Sequence, residues 1–206
     1  RPGAFVSPFS YEHFVRAELA EIHGDLRQAA EEYRLARAGP EDDTFVIARL
    51  ADVVDRLGRE EEAVQLLAQG DQMDPDDESI WLTRGRIHER HGRMEDAAEA
   101  FARAAGTAPS SEAGPLALAS VMRERGDPAE ADAVLARYLA RARGAGAARA
   151  RLALAIDHRD PLAAAEAVRS LLEAAPTRAD EVRGAATTAL DGDQPELALR
   201  LLAALP

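Results

Sequence analysis

The chain has 206 residues, with 25 basic and 37 acidic side chains and a net charge of −12; every basic residue is arginine. It has no cysteine, which excludes disulfide frameworks, thiolate zinc sites and iron–sulfur clusters. The acidic balance argues against nucleic acid as a general partner. No apolar run approaches the ~20 residues of a membrane-spanning helix, and 47% hydrophobic content suits a packed core rather than a disordered chain.

The chain opens on Arg1-Pro2 rather than methionine, as a trimmed polypeptide does. An upstream leader or anchor is therefore left open, and the missing cysteine fits cytoplasm and periplasm equally. Residues 1–9, with Pro2, Phe5, Pro8 and Phe9, read as an extended apolar segment along the first repeat or in its groove. From about residue 10 an internal period governs the sequence. Gly24-Asp25, Gly58-Arg59, Gly92-Arg93 and Gly126-Asp127 recur every 34 residues, and Asp127-Pro128 is echoed by Asp160-Pro161 and Asp193-Gln194-Pro195, each 33 on. After each turn stands a small or aliphatic residue: Ala29, Ala63, Ala97, Ala131, Ala164 and Leu197. Four further on come Tyr33, Leu67, Phe101, Leu135, Val168 and Leu201, and three further again Ala36, Gly70, Ala104, Tyr138, Leu171 and Ala204. Spacings of four and three share one helical face.

Each unit reads as helix, Gly turn, helix, break. Glycine suits the left-handed residue that ends a helix, Asp after it caps the next, and Pro fits the first helical turn. Pro40, Pro75, Pro109 and Pro176 mark breaks between units. The clearest unit contains Trp81, Gly85, His88, Gly92, Ala97, Phe101, Ala104 and Pro109. That order resembles the tetratricopeptide repeat family. Trp81 is expected to fill the hole left open by Gly85, Ala97 and Ala104.

The resemblance implies an all-α, right-handed superhelical solenoid of about six antiparallel helix-turn-helix repeats. These fall at about 10–43, 44–77, 78–111, 112–144, 145–177 and 178–206, forming one domain over 10–206. The fifth and sixth repeats lack the glycine and aromatic pattern and read equally as generic helical hairpins. Leu201, Leu202 and Leu205 leave the last helix either as a cap or as a face continued by further chain.

Residues 1–112 hold 24 acids and 13 arginines, and eight of the nine aromatics. Acids cluster at Glu41-Asp42-Asp43 and over Asp71 to Glu78, where they suit helix starts. Arg137, Arg141, Arg143, Arg149 and Arg151 lie in an acid-free stretch, which reads as a solvated helix or as a binder of phosphate or anionic lipid. In the resembled family the first helix of each repeat lines a concave groove. Carried over, this implies partner contacts at Tyr11, Phe14, Glu18, Phe45, Asp52, Asp55, Leu82 and Arg86, with Leu116, Ser120 and Arg123 in the fourth repeat. Tyr11, Phe14, Phe45 and Leu82 would supply apolar contact, and Glu18, Asp52, Asp55 and Arg86 charge selectivity.

No constellation meets the needs of catalysis. His88-Glu89-Arg90-His91 spaces its histidines by three, where a zincin helix needs four and a third ligand. The run Asp71 to Glu78 is similar to a calcium loop but has Pro75 in place of the turn glycine. No catalytic, cofactor or metal residue is therefore assigned. The expected function is a non-catalytic scaffold or assembly factor binding a peptide, helix or protein surface of apolar and basic character. The alternatives are a self-associating structural subunit, forming a homo-oligomer, and the regulatory arm of a longer protein.

Overall fold

The structure is a computed structural model and describes residues 7–37 and 43–205. The readings placed on Pro2, Phe5, Pro40, Glu41 and Asp42 lie outside the described residues. Among the described residues the chain is all-α, and it divides into two compact units between Thr107 and Ala108.

The first unit holds α1 (Pro8–Ile22), α2 (Leu26–Arg37), α3 (Thr44–Arg56), α4 (Glu60–Met73), α5 (Glu78–Arg90) and α6 (Met94–Thr107). They pair as three hairpins, with α2 also on α3, and α3 and α4 on α5. The second unit holds α7 (Ala113–Glu124), α8 (Pro128–Leu139), α9 (Ala145–Asp157), α10 (Pro161–Ala174), α11 (Ala179–Asp191) and α12 (Pro195–Ala203), with a short 3-10 turn at Pro176–Arg178. Here too there are three hairpins, with α7 and α8 on α9, and α10 on α12. No helix among the described residues is long and apolar enough to cross a membrane.

Helix starts follow from side chains that accept the unpaired first-turn amides. Ser7 accepts from the Ser10 amide, so α1 takes in Pro8 and Phe9, which the sequence placed before the first repeat. Asp43, Asp77, Asp127 and Asp160 cap α3, α5, α8 and α10. The turn inside each hairpin has one geometry throughout. Gly24, Gly58, Gly92 and Gly126 adopt φ between 72° and 83°. The residue after each donates to a carbonyl five positions back, as Asp25 does to Ala20 at 2.9 Å and Asp127 to Met122 at 2.9 Å. The same bond runs from Asp160 to Ala155 (2.9 Å) and Gln194 to Ala189 (2.8 Å), with Arg159 and Asp193 as the left-handed residues at φ 54° and 55°. The last two hairpins therefore use the repeat's turn without its glycine.

Alanines let the helices approach, and larger side chains fill the layer between them. In the first unit Ala17, Ala29, Tyr33, Ile47, Leu50, Val54, Leu67 and Ile80 form one buried cluster. The second unit buries Leu135 and Tyr138 against Ala147, and separately Leu171, Val182, Leu197 and Leu201. Of the terminal leucines, Leu201 is enclosed and Leu202 exposed.

Trp81 corrects the sequence reading. The space beside Gly85 is filled by Phe101, which is fully buried, and a Cβ built on Gly85 would overlap its ring. Trp81 is half-buried; its Nε1 donates to the Pro75 carbonyl at 2.9 Å, and Arg84 and Arg103 lie over its ring at 4.4 and 5.0 Å. The ring is held by cations at the rim, not by the core.

Three of the five arginines in the acid-free stretch pair with carboxylates of their own or another helix. Arg137 pairs with Glu130 at 2.7 Å and Arg149 with Glu181 at 2.5 Å. Arg151 reaches Asp132 at 2.8 Å and Glu166 at 3.0 Å. For Arg137, Arg149 and Arg151 this supports a solvated, ion-paired helix surface. In the Asp71 to Glu78 run, Asp71 pairs with Arg84, and Asp77 caps α5 while accepting from the Thr44 hydroxyl at 2.6 Å.

Candidate functional site

Three first helices of the first unit, α1, α3 and α5, carry one continuous set of interacting side chains. At the helix starts the set is aromatic. Phe14 lies 5.9 Å from Phe45 and 5.8 Å from Tyr33, ring centre to ring centre. Phe14 is half-buried, whereas Tyr11, one turn earlier, and Phe45 present 62% and 48% of their surface to solvent. Leu82 is half-buried on α5, one turn before Arg86.

Towards the helix ends the set is charged and internally paired. Arg49 of α3 reaches Glu18 at 2.8 Å and Glu21 at 2.6 Å, both on α1. Arg56 reaches Glu21 at 2.5 Å and Asp52 at 3.5 Å. Arg90 of α5 bridges Asp52 at 2.7 Å and Asp55. His91 Nε2 lies 2.8 Å from Asp55, and Arg93 pairs with Glu60 at 2.7 Å. The buried Tyr33 hydroxyl sits between Glu18 and Glu21. Burial and the hydrogen bond with Glu18 push its pKa far up, so it remains a donor. Burial works to lower Arg49 and Arg90, but the hydrogen-bonded and charged partners around each outweigh it and raise both.

Arg86 stands apart from this pairing. It is exposed, and its guanidinium donates to the Thr83 hydroxyl at 2.9 Å. Burial of its head group lowers its pKa, and repulsion from Arg49 and Arg90 adds to this against attraction by Asp52. It is a cation without a carboxylate within ion-pair range among the described residues.

The structure thus brings Phe14 and Phe45 together and sets Glu18, Asp52 and Asp55 in one network. Asp55 departs from its expected role. Its side chain is fully enclosed under Arg90 and His91, so it orients those residues and offers no carboxylate to solvent. Arg49 and Tyr33 escaped sequence reasoning. The available signal was Tyr where the core pattern accepts Phe: a buried hydroxyl needs partners. His88 and His91 point to different groups. His88 Nδ1 accepts from Arg93 Nε at 3.0 Å, and burial, then Arg93, lowers its pKa. Among the described residues no three His, Asp or Glu side chains converge as metal ligands.

No protein-family model and no curated protein matches the chain. Solved structures resemble it in fold. PilF of Pseudomonas aeruginosa aligns at 16% identity and TM-score 0.62, over 93% of this chain and 88% of its own. PilW, a widely conserved type IV pilus biogenesis factor, aligns at 18% identity and TM-score 0.60, over 94% and 90%. TTC0263, a thermophilic TPR protein of Thermus thermophilus, aligns at 18% identity and TM-score 0.58, over 95% and 98%. With six hairpins among the described residues that share one turn geometry, the chain has the tetratricopeptide-repeat fold.

Proposed function

We propose that the chain is a non-catalytic interaction module that holds a protein or peptide partner on the α1–α3–α5 face of its first unit. One observation carries the reading. Tyr11 and Phe45 are exposed beside the half-buried Phe14, on a face where Glu18, Arg49, Asp52 and Arg90 are tied down by ion pairs. Exposed aromatic groups on a rigid surface are typical anchors for a partner. One structure of similar fold, PilW, is a type IV pilus biogenesis factor, and an assembly role for this chain is in keeping with that.

The paired network revises the charge expected of the partner. Glu18, Asp52 and Asp55 are each matched by arginines of the array, so the face does not call for a basic partner. Arg86 is the uncommitted charge, and it suits a carboxylate. The partner segment in this reading is apolar, with an acidic residue near the anchor.

The test is affinity capture with the natural chain and with a Tyr11→Ser/Phe45→Ser variant whose helicity is unchanged by circular dichroism. Both residues are exposed, so the variant folds. A partner retained by the natural chain and lost by the variant supports the reading. Equal retention by both contradicts it.

A further inference from the structure

We propose that the exposed apolar face on α11 and α12 of the second unit docks onto the exposed apolar stripe of α1 in a second copy of this chain, so that copies associate head to tail. The proposal does not depend on the partner read for the α1–α3–α5 face.

Places counted from the left-handed residue of each turn show how one repeat sits on the next. Nine, five and two residues before it, α3 carries Arg49, Val53 and Arg56, and α5 carries Thr83, Ile87 and Arg90. Arg49 and Arg56 reach back to Glu21 of α1, and Arg90 reaches back to Asp55 of α3. Val53, Thr83 and Ile87 are buried. These three places therefore form the side of a first helix that meets the preceding repeat. In α1 they hold Val15, Leu19 and Ile22, all apolar and all exposed. Their spacing of four and three makes one stripe along the helix.

The complementary side is open on the second unit. Three residues before the turn, Glu21 and Asp55 reach forward to Arg56 and Arg90. The same place in α11 is Leu190, which is exposed. Nine residues after the turn stand Tyr33, Leu67, Leu135 and Val168, all buried. The same place in α12 is Leu202, exposed together with Leu199 one turn earlier. A terminal repeat that faced water would carry polar side chains there.

The register selects the occupant. Two contacts inside the first unit cross from one repeat to the next: Glu21 with Arg56 at 2.5 Å, and Arg49 Nε donating to the Tyr33 hydroxyl at 3.2 Å. Applied between copies, the first places Leu190 on Ile22 and the second places Leu202 on Val15. Both halves of the junction have thus changed from polar to apolar together, and joining them takes exposed aliphatic side chains of each copy out of water. Charge favours the same mode. Residues 1–112 hold 24 acids and 13 arginines, and residues 113–206 hold 13 and 12. Two α1 stripes meeting would bring two acidic units together, whereas head-to-tail docking sets an acidic unit against a nearly neutral one. The two faces differ, so the interface is heterologous.

Sedimentation equilibrium of the full chain from about 5 μM to about 500 μM reads the association. The mass of the natural chain should rise with concentration above 22.1 kDa. Leu19→Glu/Ile22→Glu breaks the α1 stripe, and Leu190→Glu/Leu202→Glu breaks the α11–α12 face. All four positions are exposed, and circular dichroism checks that helicity is kept. Each variant alone should stay at the mass of one chain, because every contact needs one natural copy of each face. Mixed in equal amounts, the two variants should form a dimer and nothing larger, through their one pair of intact faces. Ile22→Arg and Leu190→Asp should each weaken association about tenfold or more, and the two together in one chain should restore it, as Asp55 and Arg90 pair inside the chain. A natural chain that is monomeric throughout, its faces then belonging to other hairpins or to a different protein, would overturn the proposal. So would loss of association in only one of the two glutamate variants, which marks a face that pairs with itself, loss in neither, or a mixture that stays monomeric.

Discussion

Asp55 of α3 and Arg90 of α5, 35 residues apart, form an ion pair in which the carboxylate is fully enclosed and the guanidinium side chain about a third exposed, at 35%. The pair joins successive repeats through the ends of their first helices. Removing Arg90 strands a buried carboxylate that keeps only His91. Arg90→Ala should cost about 2 kcal/mol, below the ~3–5 of a wholly buried pair, because solvent reaches and screens the arginine. Asp55→Asn should cost about 1 kcal/mol, since the amide oxygen still accepts. Urea denaturation of the two variants and their combination checks both values and their coupling.

Phe101 and Trp81 should separate sharply on truncation. Phe101→Ala removes a buried ring from against Gly85 and should cost about 3–5 kcal/mol. Trp81→Ala loses a half-buried ring and its contacts with Arg84 and Arg103, and should cost about 1–2 kcal/mol. Gly85→Ala should be destabilising by about 1–3 kcal/mol through overlap with the Phe101 ring. Equal losses for Phe101→Ala and Trp81→Ala in denaturant titrations would return Trp81 to the core.

The left-handed turns make an opposite prediction in the second unit. Arg159 occupies φ 54° where four other hairpins have glycine. Arg159→Gly should stabilise by about 0.5–1 kcal/mol, and Asp193→Gly by less, since Asp tolerates this conformation better. Gly92→Ala, at φ 72°, should destabilise by about 1 kcal/mol. Thermal unfolding of the three variants reads the signs directly.

Asp77 should shape the acid limb of stability. Burial opposes its charge, but hydrogen bonds from the Ser79 and Thr44 hydroxyls and the Ile80 and Ser79 amides outweigh it and hold its carboxyl below the ordinary value. A carboxyl depressed on folding adds stability above its unfolded pKa of about 4, and that stability is lost as pH falls through the lower folded value. Asp77→Ala should cost about 1 kcal/mol at pH 7, as a lost cap does. Urea midpoints measured from pH 7 to pH 3 should show the gap between variant and natural chain closing on acidification.

The period, the hairpins and four of the turns were legible because a left-handed backbone position selects glycine by steric necessity. In the last two repeats the glycine signal is missing, because Arg159 and Asp193 take the left-handed position, and only the Asp160-Pro161 and Asp193-Gln194-Pro195 echoes marked those turns. Ser7 and Pro8 carried the signal for the start of α1, but the repeat register placed the boundary later. The pattern marked Trp81, Gly85 and Phe101 as neighbours, yet which ring enters the gap depends on packing that spacing does not encode. Charge was the least legible property. Composition shows 24 acids against 13 arginines over residues 1–112, whereas the face is set by pairs such as Glu18–Arg49 and Asp52–Arg90 that form only when first helices stack.

Amide hydrogen exchange of the chain, alone and with its captured partner, tests the central claim most directly. A partner seated on the α1–α3–α5 face should slow exchange around Tyr11 to Val15, Phe45 to Ala48 and Leu82 to Arg86. Protection confined to the second helices α2, α4 and α6, with those three stretches unchanged, would contradict the account.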